Sequence, residues 1–340
     1  MPSTPEQTSD VPVAVGQSSG EQMAPGQPRP DVSVIVVNYR STELTGRALE
    51  QAARSAGQLT LQQIVVDVDS PPDQLALLRE LCPHAQIVEL HSNRGFAAGN
   101  NAGIPHARGR HLLLLNPDAF AEHDAVEALV RRLDADPRVG LVAPLLLNED
   151  GSSQDNVHSR FPNLLTLFVD FCAPLAFLVR GTRLDPHNIP RSRLTEPRPI
   201  AHAIGAVLLV RAEAAAAAGP LDEGFFLYLE ETEWQRRIAA AGWAREVLPA
   251  ARFVHLGGAS TGGFPLASPH YIASVRRYYP RPRLALAVIW AAALISFFTL
   301  RIATALGRGS PRTRQLADAF GDLLKLLLLS RARRARAPRA

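Results

Sequence analysis

An α/β fold with a doubly wound, mostly parallel sheet is predicted by two features of the sequence. Across residues 31–144, apolar runs of strand length alternate with segments of helical periodicity, and this alternation implies right-handed crossovers between parallel strands. The apolar run His111–Leu115 (HLLLL) stops abruptly at Asn116-Pro117-Asp118. Open α/β sheets bind ligands at the carboxyl ends of their strands, so Asp118 is expected at a ligand site. Asn-Pro-Asp also forms a strand-ending turn without any further role.

The first half of the chain is interpreted as alternating strands and helices. Val32–Arg40 is a continuous run rich in β-branched residues, typical of a parallel strand buried on both faces. After Ser41, a residue type that caps helices, leucine and alanine recur at helical spacing. The further elements predicted in order are helix Thr42–Ala56, strand Ile64–Val68, helix Asp73–Leu81, strand Ala85–Leu90, a loop leading into a helix over Asn93–Gly103, strand His111–Leu115, helix Asp124–Asp134 and strand Val139–Pro144.

The second half is less regular. Asn148–Pro199 lacks a clear period, and we interpret it as an excursion, with loop residues around the apolar stretch Leu164–Leu178, that builds part of a second ligand surface. Regular pattern returns after it. The predicted elements are strand Ala201–Arg211, helix Glu213–Ala218, a loop passing into a helix over Asp222–Gly242, and short strands Ala244–Val247 and Arg252–Val254.

Composition and the two ends of the chain narrow the class of protein. With 340 residues, 46% hydrophobic and 20% charged, the chain allows two globular domains or one with appendages. Residues 1–30 are rich in Pro, Gly, Ser, Gln and Glu and are predicted to be a disordered leader without the pattern of a signal peptide. Cys82 and Cys172 are the only cysteines and lack metal-ligand spacing, which favours a reducing compartment. A cytoplasmic location is therefore expected.

The C-terminal quarter combines apolar segments with clustered arginine. Leu284–Leu300 is uncharged and falls just short of the roughly 20 apolar residues that span a bilayer. Leu316–Leu329 is a second apolar segment, followed by the arginine-rich RARRARAPR. We expect interfacial helices with a polybasic tail that hold the protein on the inner face of the cell membrane. A buried helical pair and a single membrane span over residues 284–300 are the alternatives.

Carboxylates gather at the ends of the predicted strands. Asp67 and Asp69 follow one strand, Asp118 follows another, and Glu230 and Glu231 begin a helix. Such hard oxygen ligands suit Mg²⁺ or Mn²⁺, which bind through one or two carboxylates and substrate phosphates. The sequence has no P-loop lysine motif and no GxGxxG spacing, so a Rossmann dehydrogenase is not predicted. A bound nucleotide would therefore be held by a metal ion and side chains.

Taken in order, several motifs resemble family 2 glycosyltransferases of the GT-A fold, and within them the rhamnosyltransferase-like branch. The resemblance covers about residues 31–280. The motifs are VSVIVVNYRS at Val32–Ser41, IVVDVDS at Ile64–Ser70, NRGFAAGNNAGI at Asn93–Ile104, LLLLNPDA at Leu112–Ala119, IGAVLLVRAEA at Ile204–Ala214, GPLDEGFFLYLEETEWQRRIAAAGW at Gly219–Trp243, VHLGGAS at Val254–Ser260 and SVRRYY at Ser274–Tyr279.

The resemblance implies a metal-dependent, inverting transferase that uses a nucleotide sugar. It implies a Rossmann-like, mostly parallel sheet flanked by helices, followed by a helical, membrane-associating C-terminal extension. Asp67 would lie near the nucleotide base, and Asn116-Pro117-Asp118 occupies the position of the DxD element, with Asp118 as principal ligand of Mg²⁺ or Mn²⁺ on the diphosphate. Glu231 would be the general base, and His255 would be a further metal ligand. These roles suit inversion, in which one carboxylate takes the proton of the acceptor hydroxyl.

The remaining assignments follow from the same resemblance. Residues 31–147 would form the nucleotide-sugar-binding half, 148–265 the acceptor-binding and catalytic half, and 266–340 the membrane-associating region. The expected partners are a nucleotide-sugar donor, a glycan or polyprenyl-linked acceptor and the cytoplasmic membrane surface, with no nucleic acid. The residues expected to bind the nucleotide sugar are Asn38, Asp67, Arg94, Asn100, Asn116 and Asp118, and those expected to bind the acceptor are Gly205, Ala206 and Glu230.

The most specific function expected is transfer of rhamnose from dTDP-rhamnose to a hydroxyl group, in the synthesis of a cell-envelope polysaccharide. The alternative within the class is another donor: a UDP-hexose, UDP-GlcNAc or UDP-galactofuranose. An alternative from another class is a catalytically silent, membrane-bound scaffold, which the departures Val68, Asn116 and Glu231 leave open. Nucleic-acid binding by the arginine-rich tail is not favoured because interleaved aromatic residues and a recognised module are missing.

Overall fold

The structure is a computed structural model that describes residues 29–179, 182, 184, 185, 189, 193–257 and 268–335. Most of the predicted leader, residues 1–28, lies outside the described residues. The same holds for Gly258 and for residues 336–340 of the arginine-rich tail.

The described chain alternates strands and helices before it ends in helices alone. The elements are β1 (Val32–Asn38), α1 (Thr42–Arg54), β2 (Leu61–Val68), α2 (Pro72–Leu81), β3 (Gln86–Leu90), α3 (Phe96–Gly103), β4 (His111–Leu115), β5 (Ala119–Ala121), α4 (Ala125–Ala135), β6 (Val139–Leu147), β7 (Val157–His158), α5 (Leu164–Phe171), α6 (Ala173–Val179), β8 (Arg198–Pro199), β9 (His202–Ala203), β10 (Val207–Arg211), α7 (Ala212–Ala218), α8 (Glu230–Ala240), β11 (Ala244–His255), α9 (Pro269–Tyr278), α10 (Pro282–Ala305) and α11 (Pro311–Ala335). A 3₁₀ turn, Ile104–His106, follows α3.

One large sheet organises the fold, with strand order β3-β2-β1-β4-β10-β6-β11-β5 and β8 paired to β11. The strands β3, β2, β1 and β4 are mutually parallel, as are β6 and β11. Strand β10 lies antiparallel between β4 and β6, and β5 lies antiparallel to β11. The predicted α/β class with a mostly parallel sheet is confirmed. The sheet is mixed rather than purely parallel at its centre.

Apolar residues of the strands alternate between the two faces of the sheet. Val32, Val34 and Val36 belong to the core on one face, whereas Ile35 belongs to the core on the other. Because residues on both faces are buried, the central strands β1 and β4 form continuous apolar runs in the sequence.

Three sequence predictions differ from the structure. The predicted strand Ala201–Arg211 is divided into β9, which pairs with β7 in a separate sheet, and β10 in the main sheet. The apolar stretch Leu164–Leu178, for which the irregular pattern predicts no regular element, forms the helices α5 and α6. Asn163 begins α5 by accepting hydrogen bonds from the backbone of Leu165 and Thr166, a capping box that the irregular apolar pattern concealed.

The third difference concerns the last strand. The two short strands predicted at Ala244–Val247 and Arg252–Val254 are parts of one strand, β11, whose pairing to β6 is irregular between Leu248 and Arg252. Pro249 lies in this interval and has no backbone N–H to donate. One strand therefore continues across the irregular pairing, although the sequence pattern there predicts two separate strands.

The predicted helical C-terminal region is confirmed and consists of α9, α10 and α11. These helices share a third apolar core with α5, which includes Phe171, Ile289 and Phe320. Among the described residues, α10 is the one helix long and apolar enough to cross a membrane, and 28% of its most apolar stretch is buried in the protein. Residues of the stretch Leu164–Leu178 therefore pack against the C-terminal helices.

Candidate functional site

Polar residues meet at the carboxyl edge of the sheet. Asn38, at the end of β1, lies opposite Asp67 of the parallel strand β2. On the other side of β1, Val36 lies opposite Leu115, the last residue of β4, so Asn116 follows at the same level. The parallel arrangement therefore brings the ends of β1, β2 and β4 to one edge, where α/β folds bind ligands.

Asp67 is held in place by a buried hydrogen-bond network. The Asn38 amide Nδ2 donates to Asp67 Oδ1 over 2.7 Å, and Ser70 Oγ donates to the same oxygen over 2.7 Å. Thr45, on the buried face of α1, donates its hydroxyl to Asn38 Oδ1 over 2.9 Å. Because the Asp67 carboxylate only accepts hydrogen bonds, the Asn38 amide faces it with its NH₂ group, and its oxygen is left to accept from Thr45.

The turn after β4 places Asp118 next to the end of β11. Asn116 N–H donates to the carbonyl of Ala206 over 2.8 Å, and Leu256 N–H donates to the carbonyl of Asp118 over 3.0 Å. Antiparallel pairing of β5 with β11 places His255 opposite Ala119. As a result, His255 Nε2 lies 3.4 Å from Asp118 Oδ1, with both side chains largely buried.

The acidic pair Glu230 and Glu231 begins α8, directly after two residues in left-handed backbone conformation. Tyr228 and Leu229 have φ of 73° and 68°, a conformation that costs a non-glycine residue about 1–3 kcal/mol and is concentrated at functional sites. The loop is held by Ser274, whose hydroxyl donates to the Leu227 carbonyl over 2.9 Å. The helix N-terminus therefore has a fixed position.

Glu231 lies directly beside Gly205. A Cβ atom at position 205 would lie 3.2 Å from Glu231 Cγ, so glycine leaves the carboxylate side chain its space. Ala206, the next residue, accepts the hydrogen bond from Asn116. Through this short segment, the turn of Asp118 and the start of α8 are connected in space.

Burial changes the acidity of both glutamates. Burial raises the pKa of the Glu231 carboxyl above its usual value. Burial and the neighbouring charge of Glu231 raise the pKa of Glu230 well above its usual range. The Glu230 side chain is 3% exposed, and its Oε2 has no hydrogen-bond partner among the described residues. Adjacent acids in these environments favour one proton on Glu230 before one on Glu231.

Two residues expected at the site are engaged elsewhere. Arg94 is exposed and forms an ion pair with Glu223 over 2.6 Å. Asn100 is buried, and its amide donates to the carbonyl of Phe96 within α3 over 2.9 Å. Their assignment to nucleotide-sugar binding stays a prediction. By contrast, Asn38, Asp67, Asn116 and Asp118 line the carboxyl edge, with Gly205, Ala206, Glu230, Glu231 and His255 near them.

A divalent ion could be held by the facing pair Asp118 and His255. No group of three or more His, Cys, Asp or Glu side chains in the described part of the chain is arranged to hold a metal ion. Two protein ligands nevertheless fit an ion that is completed by phosphate oxygens and water, as Mg²⁺ sites often are. The carboxylate and imidazole face each other at 3.4 Å, and both are ligand types that Mn²⁺ accepts.

Sequence reasoning missed the residues that orient the site. Thr45 and Ser70 hold Asn38 and Asp67, and Gln154 contacts the ring of His255 over 3.0 Å. Ser70 lies within a motif quoted above, but Thr45 is an ordinary residue on a helix face. Gln154 lies in the irregular stretch, about 100 residues before its partner. Only the folded structure brings it to His255.

Comparison with known proteins identifies a family. The family model described as glycosyl transferase family 2 matches residues 33–215. An N-acetylglucosaminyl-diphospho-decaprenol L-rhamnosyltransferase of Mycobacterium tuberculosis is 29% identical over 169 residues, covering 47% of this chain and 52% of the relative. The rhamnosyltransferase WbbL of Escherichia coli is 22% identical over 218 residues, covering 61% and 79%. The chain thus spans about half the length of the M. tuberculosis relative.

A solved structure shows the same fold. The mannosyltransferase PcManGT from Pyrobaculum calidifontis, in complex with GDP-Man and Mn²⁺, superposes with a TM-score of 0.55 at 18% identity, covering 88% of this chain and 87% of that one. The GT-A fold expected from the sequence motifs is confirmed.

Proposed function

The chain belongs to glycosyl transferase family 2, and from that premise we propose that it is a metal-dependent, inverting transferase of a nucleotide-linked sugar. The observation that carries the proposal is the convergence of Asp118, His255 and Glu231 at the carboxyl edge of the sheet. This arrangement combines a place for a cation with a carboxylate that can take a proton, which are the two requirements of the reaction.

The donor is proposed to lie along the ends of β1, β2 and β4. Asp67 has its Oδ1 occupied by Asn38 and Ser70, while among the described residues its Oδ2 accepts only a long hydrogen bond, 3.3 Å, from Ser70 N–H. An oxygen held in this way suits the imino N–H of a pyrimidine base. Asp118 and His255 would hold a divalent ion on the diphosphate, and the ion would offset the negative charge that develops on the leaving group.

Glu231 is proposed to act on the acceptor hydroxyl. As the bond between the sugar C1 and the diphosphate oxygen breaks, the acceptor oxygen forms the new bond to C1 and its proton passes to the Glu231 carboxylate. The leaving group departs as the nucleoside diphosphate. A pKa raised by burial makes Glu231 a stronger base than an exposed glutamate. Attack from the face opposite the leaving group inverts the configuration at C1.

The proposed sugar is rhamnose, supplied as dTDP-rhamnose for cell-envelope polysaccharide synthesis. The support comes from the two rhamnosyltransferases that the chain resembles at low identity. The name of the M. tuberculosis relative further suggests a sugar linked through diphosphate to a polyprenol as acceptor. A UDP-hexose, UDP-GlcNAc or UDP-galactofuranose donor remains the alternative within the same mechanism.

A donor screen tests the proposal. The purified protein is given dTDP-rhamnose, UDP-sugars or GDP-mannose with N-acetylglucosaminyl-diphospho-polyprenol, in Mn²⁺, in Mg²⁺ or in EDTA, and release of nucleoside diphosphate is measured. We expect turnover with dTDP-rhamnose that EDTA abolishes and added metal restores, and NMR of the product should show an inverted anomeric centre. Turnover unaffected by EDTA would contradict metal dependence. No turnover and no nucleotide-induced thermal shift would favour the silent scaffold.

We also propose that the C-terminal helices bind the cytoplasmic face of a membrane. Helix α10 carries a series of large apolar side chains that are 40–58% exposed, Trp290, Ile295, Phe298 and Ile302 among them. Phe177 of the neighbouring helix α6 is 88% exposed. Exposed arginines flank α10 at both ends, including Arg281, Arg283 and Arg308. Apolar side chains beside cations match the interface of an anionic bilayer.

Vesicle sedimentation tests this membrane proposal. Replacing both Phe298 and Ile302 with serine removes two exposed apolar side chains, each worth about 1.5–3 kcal/mol if fully buried in lipid. We expect at least a tenfold loss of binding to vesicles of anionic phospholipid. Leu81→Ser is the matched control, because Leu81 is 42% exposed on α2. Equal sedimentation of the double variant and wild type would contradict membrane binding through α10.

A further inference from the structure

The ring of His255 is held by one side chain from the turn that follows β6. Gln154 Oε1 lies 3.0 Å from His255 Nδ1. On its other side, Gln154 Nε2 donates to the backbone carbonyl of His255 over 2.6 Å and to Asn148 Oδ1 over 2.9 Å. Gln154 therefore contacts His255 at two points, one on the ring and one on the backbone.

These contacts determine which end of the Gln154 amide faces the ring. A backbone carbonyl only accepts hydrogen bonds, so the amide atom beside it must be the NH₂ group. The oxygen is then the atom beside His255 Nδ1, and an oxygen can only accept. Nδ1 of His255 must consequently carry the hydrogen, and the neutral ring presents the lone pair of Nε2 on its opposite side.

The lone pair of Nε2 points toward Asp118. Nε2 and Asp118 Oδ1 are 3.4 Å apart, and two electron-rich atoms at this distance repel each other unless a cation lies with them. The arrangement matches a metal-ligating histidine, whose other ring N–H usually donates to a fixed acceptor. Here the fixed acceptor is an uncharged amide.

The turn that supplies Gln154 is itself well determined. The backbone of Asn148 donates to the Ser152 carbonyl over 2.7 Å, and Gln154 N–H returns to the Leu146 carbonyl over 2.8 Å. Leu147, at the end of β6, pairs with Val254 of β11. Because β6 and β11 end side by side, a turn at the end of β6 reaches the residue that follows Val254, which is His255.

We infer that Gln154 is a positioning residue that holds His255 in the Nδ1–H tautomer, so that Nε2 and Asp118 together accept a divalent ion. The inference rests on the proposed function for the metal site. It gives the turn Asn148–Gln154 a role in metal binding, although this turn lies in residues 148–265, the part of the chain expected to bind the acceptor. Gln154 acts through His255 and does not itself touch the ion.

Two measurements test the role of Gln154. The first is the affinity for Mn²⁺, alone and with dTDP, from the EPR signal of free Mn²⁺. The second is the tautomer of His255 from ring ¹⁵N shifts in histidine-labelled protein without metal, with the His255 signal identified by its loss in His255→Asn. We expect Gln154→Leu to weaken Mn²⁺ binding about 10–100-fold and to abolish the single tautomer. Gln154→Glu keeps an acceptor at Nδ1 and should lose less.

Controls separate this inference from the metal site itself. Glu149→Gln alters an exposed side chain of the same turn and should leave both readouts unchanged. If Asp118→Ala abolishes Mn²⁺ binding while Gln154→Leu matches wild type in affinity and tautomer, the role of Gln154 is refuted and the metal site stands. If Asp118→Ala and His255→Asn both bind Mn²⁺ like wild type, the metal site itself is refuted. The tautomer measurement does not depend on metal.

Discussion

The amino edge of the central sheet, where the parallel strands β1 and β4 begin, and the carboxyl edge, where they end, differ in how their charged groups are paired. At the amino edge, Arg110 pairs with Asp31 over 2.8 Å and with Asp134 over 3.2 Å. The buried ring of His111 also contacts Asp134, over 2.8 Å. Every acid in this group has a basic partner, and the pKa of Asp31 is lowered to about 2, first by its hydrogen bond from Arg110. Charge here serves the fold.

At the carboxyl edge the acids have no such partners. Among the described residues, no arginine or lysine forms an ion pair with Asp67, Asp118, Glu230 or Glu231, and only His255 approaches Asp118. Burial raises the pKa of Glu230 and Glu231 instead of lowering it. Desolvated acids without cations cost folding free energy, and acids whose pKa is shifted by burial are concentrated at functional sites.

The largest effect is expected when the proposed base is neutralised. Glu231→Gln keeps the shape of the side chain but removes the group that takes the acceptor proton, so turnover should fall about 10²–10⁴-fold. Donor binding, measured by calorimetry with Mn²⁺, should stay at the wild-type level because the donor contacts lie elsewhere. Turnover within a few-fold of wild type would show that another group accepts the proton.

A second large effect is expected at Asp118, in metal binding. Asp118→Asn removes the carboxylate that faces His255 and is the proposed metal ligand. Replacing a residue that only orients a metal ligand lowers metal affinity by up to about 100-fold. Replacing the ligand itself should therefore lower Mn²⁺ affinity by at least about 100-fold. Mn²⁺-dependent binding of nucleoside diphosphate is the readout. Asp134→Asn at the amino edge is the matched control and should bind Mn²⁺ normally. Equal loss in both variants would show that the acids at the carboxyl edge bind Mn²⁺ no more specifically than those at the amino edge.

An intermediate effect is expected on stability, with opposite sign at the two edges. Because the folded-state pKa of Glu230 is raised, the folded protein binds more protons than the unfolded chain above the unfolded pKa, and stability declines as the pH rises through that window. Glu230→Gln should therefore stabilise the protein at pH 8 by a free energy of unfolding on the order of 1 kcal/mol, seen as a higher thermal midpoint. At pH 4 the midpoint should not rise. A lower midpoint at pH 8 would contradict this.

The sequence predicts the strands and the acids that follow them better than the groups that orient those acids. Continuous apolar runs such as His111–Leu115 are visible because both faces of the strand are buried, and Asp118 follows directly from where that run ends. Thr45 and Gln154 are not visible, because each acts through side-chain hydrogen bonds to a partner that lies 7 or 101 residues away in the chain. Periodicity reports burial, whereas a polar contact depends on the folded register.

The smallest effect is expected at the paired amino edge. The folded-state pKa of Asp31 is about 2, below the unfolded value, so its contribution is fully present above about pH 4 and is lost as the pH falls toward 2. Asp31→Asn should lower the urea midpoint at pH 7 by an amount equivalent to about 0.5 kcal/mol, since the pair is partly exposed. At pH 2.5 most of the difference from wild type should be gone. A difference that persists unchanged at pH 2.5 would show that the Asp31 charge does not stabilise this edge, and the contrast between the edges would then rest on the carboxyl edge alone.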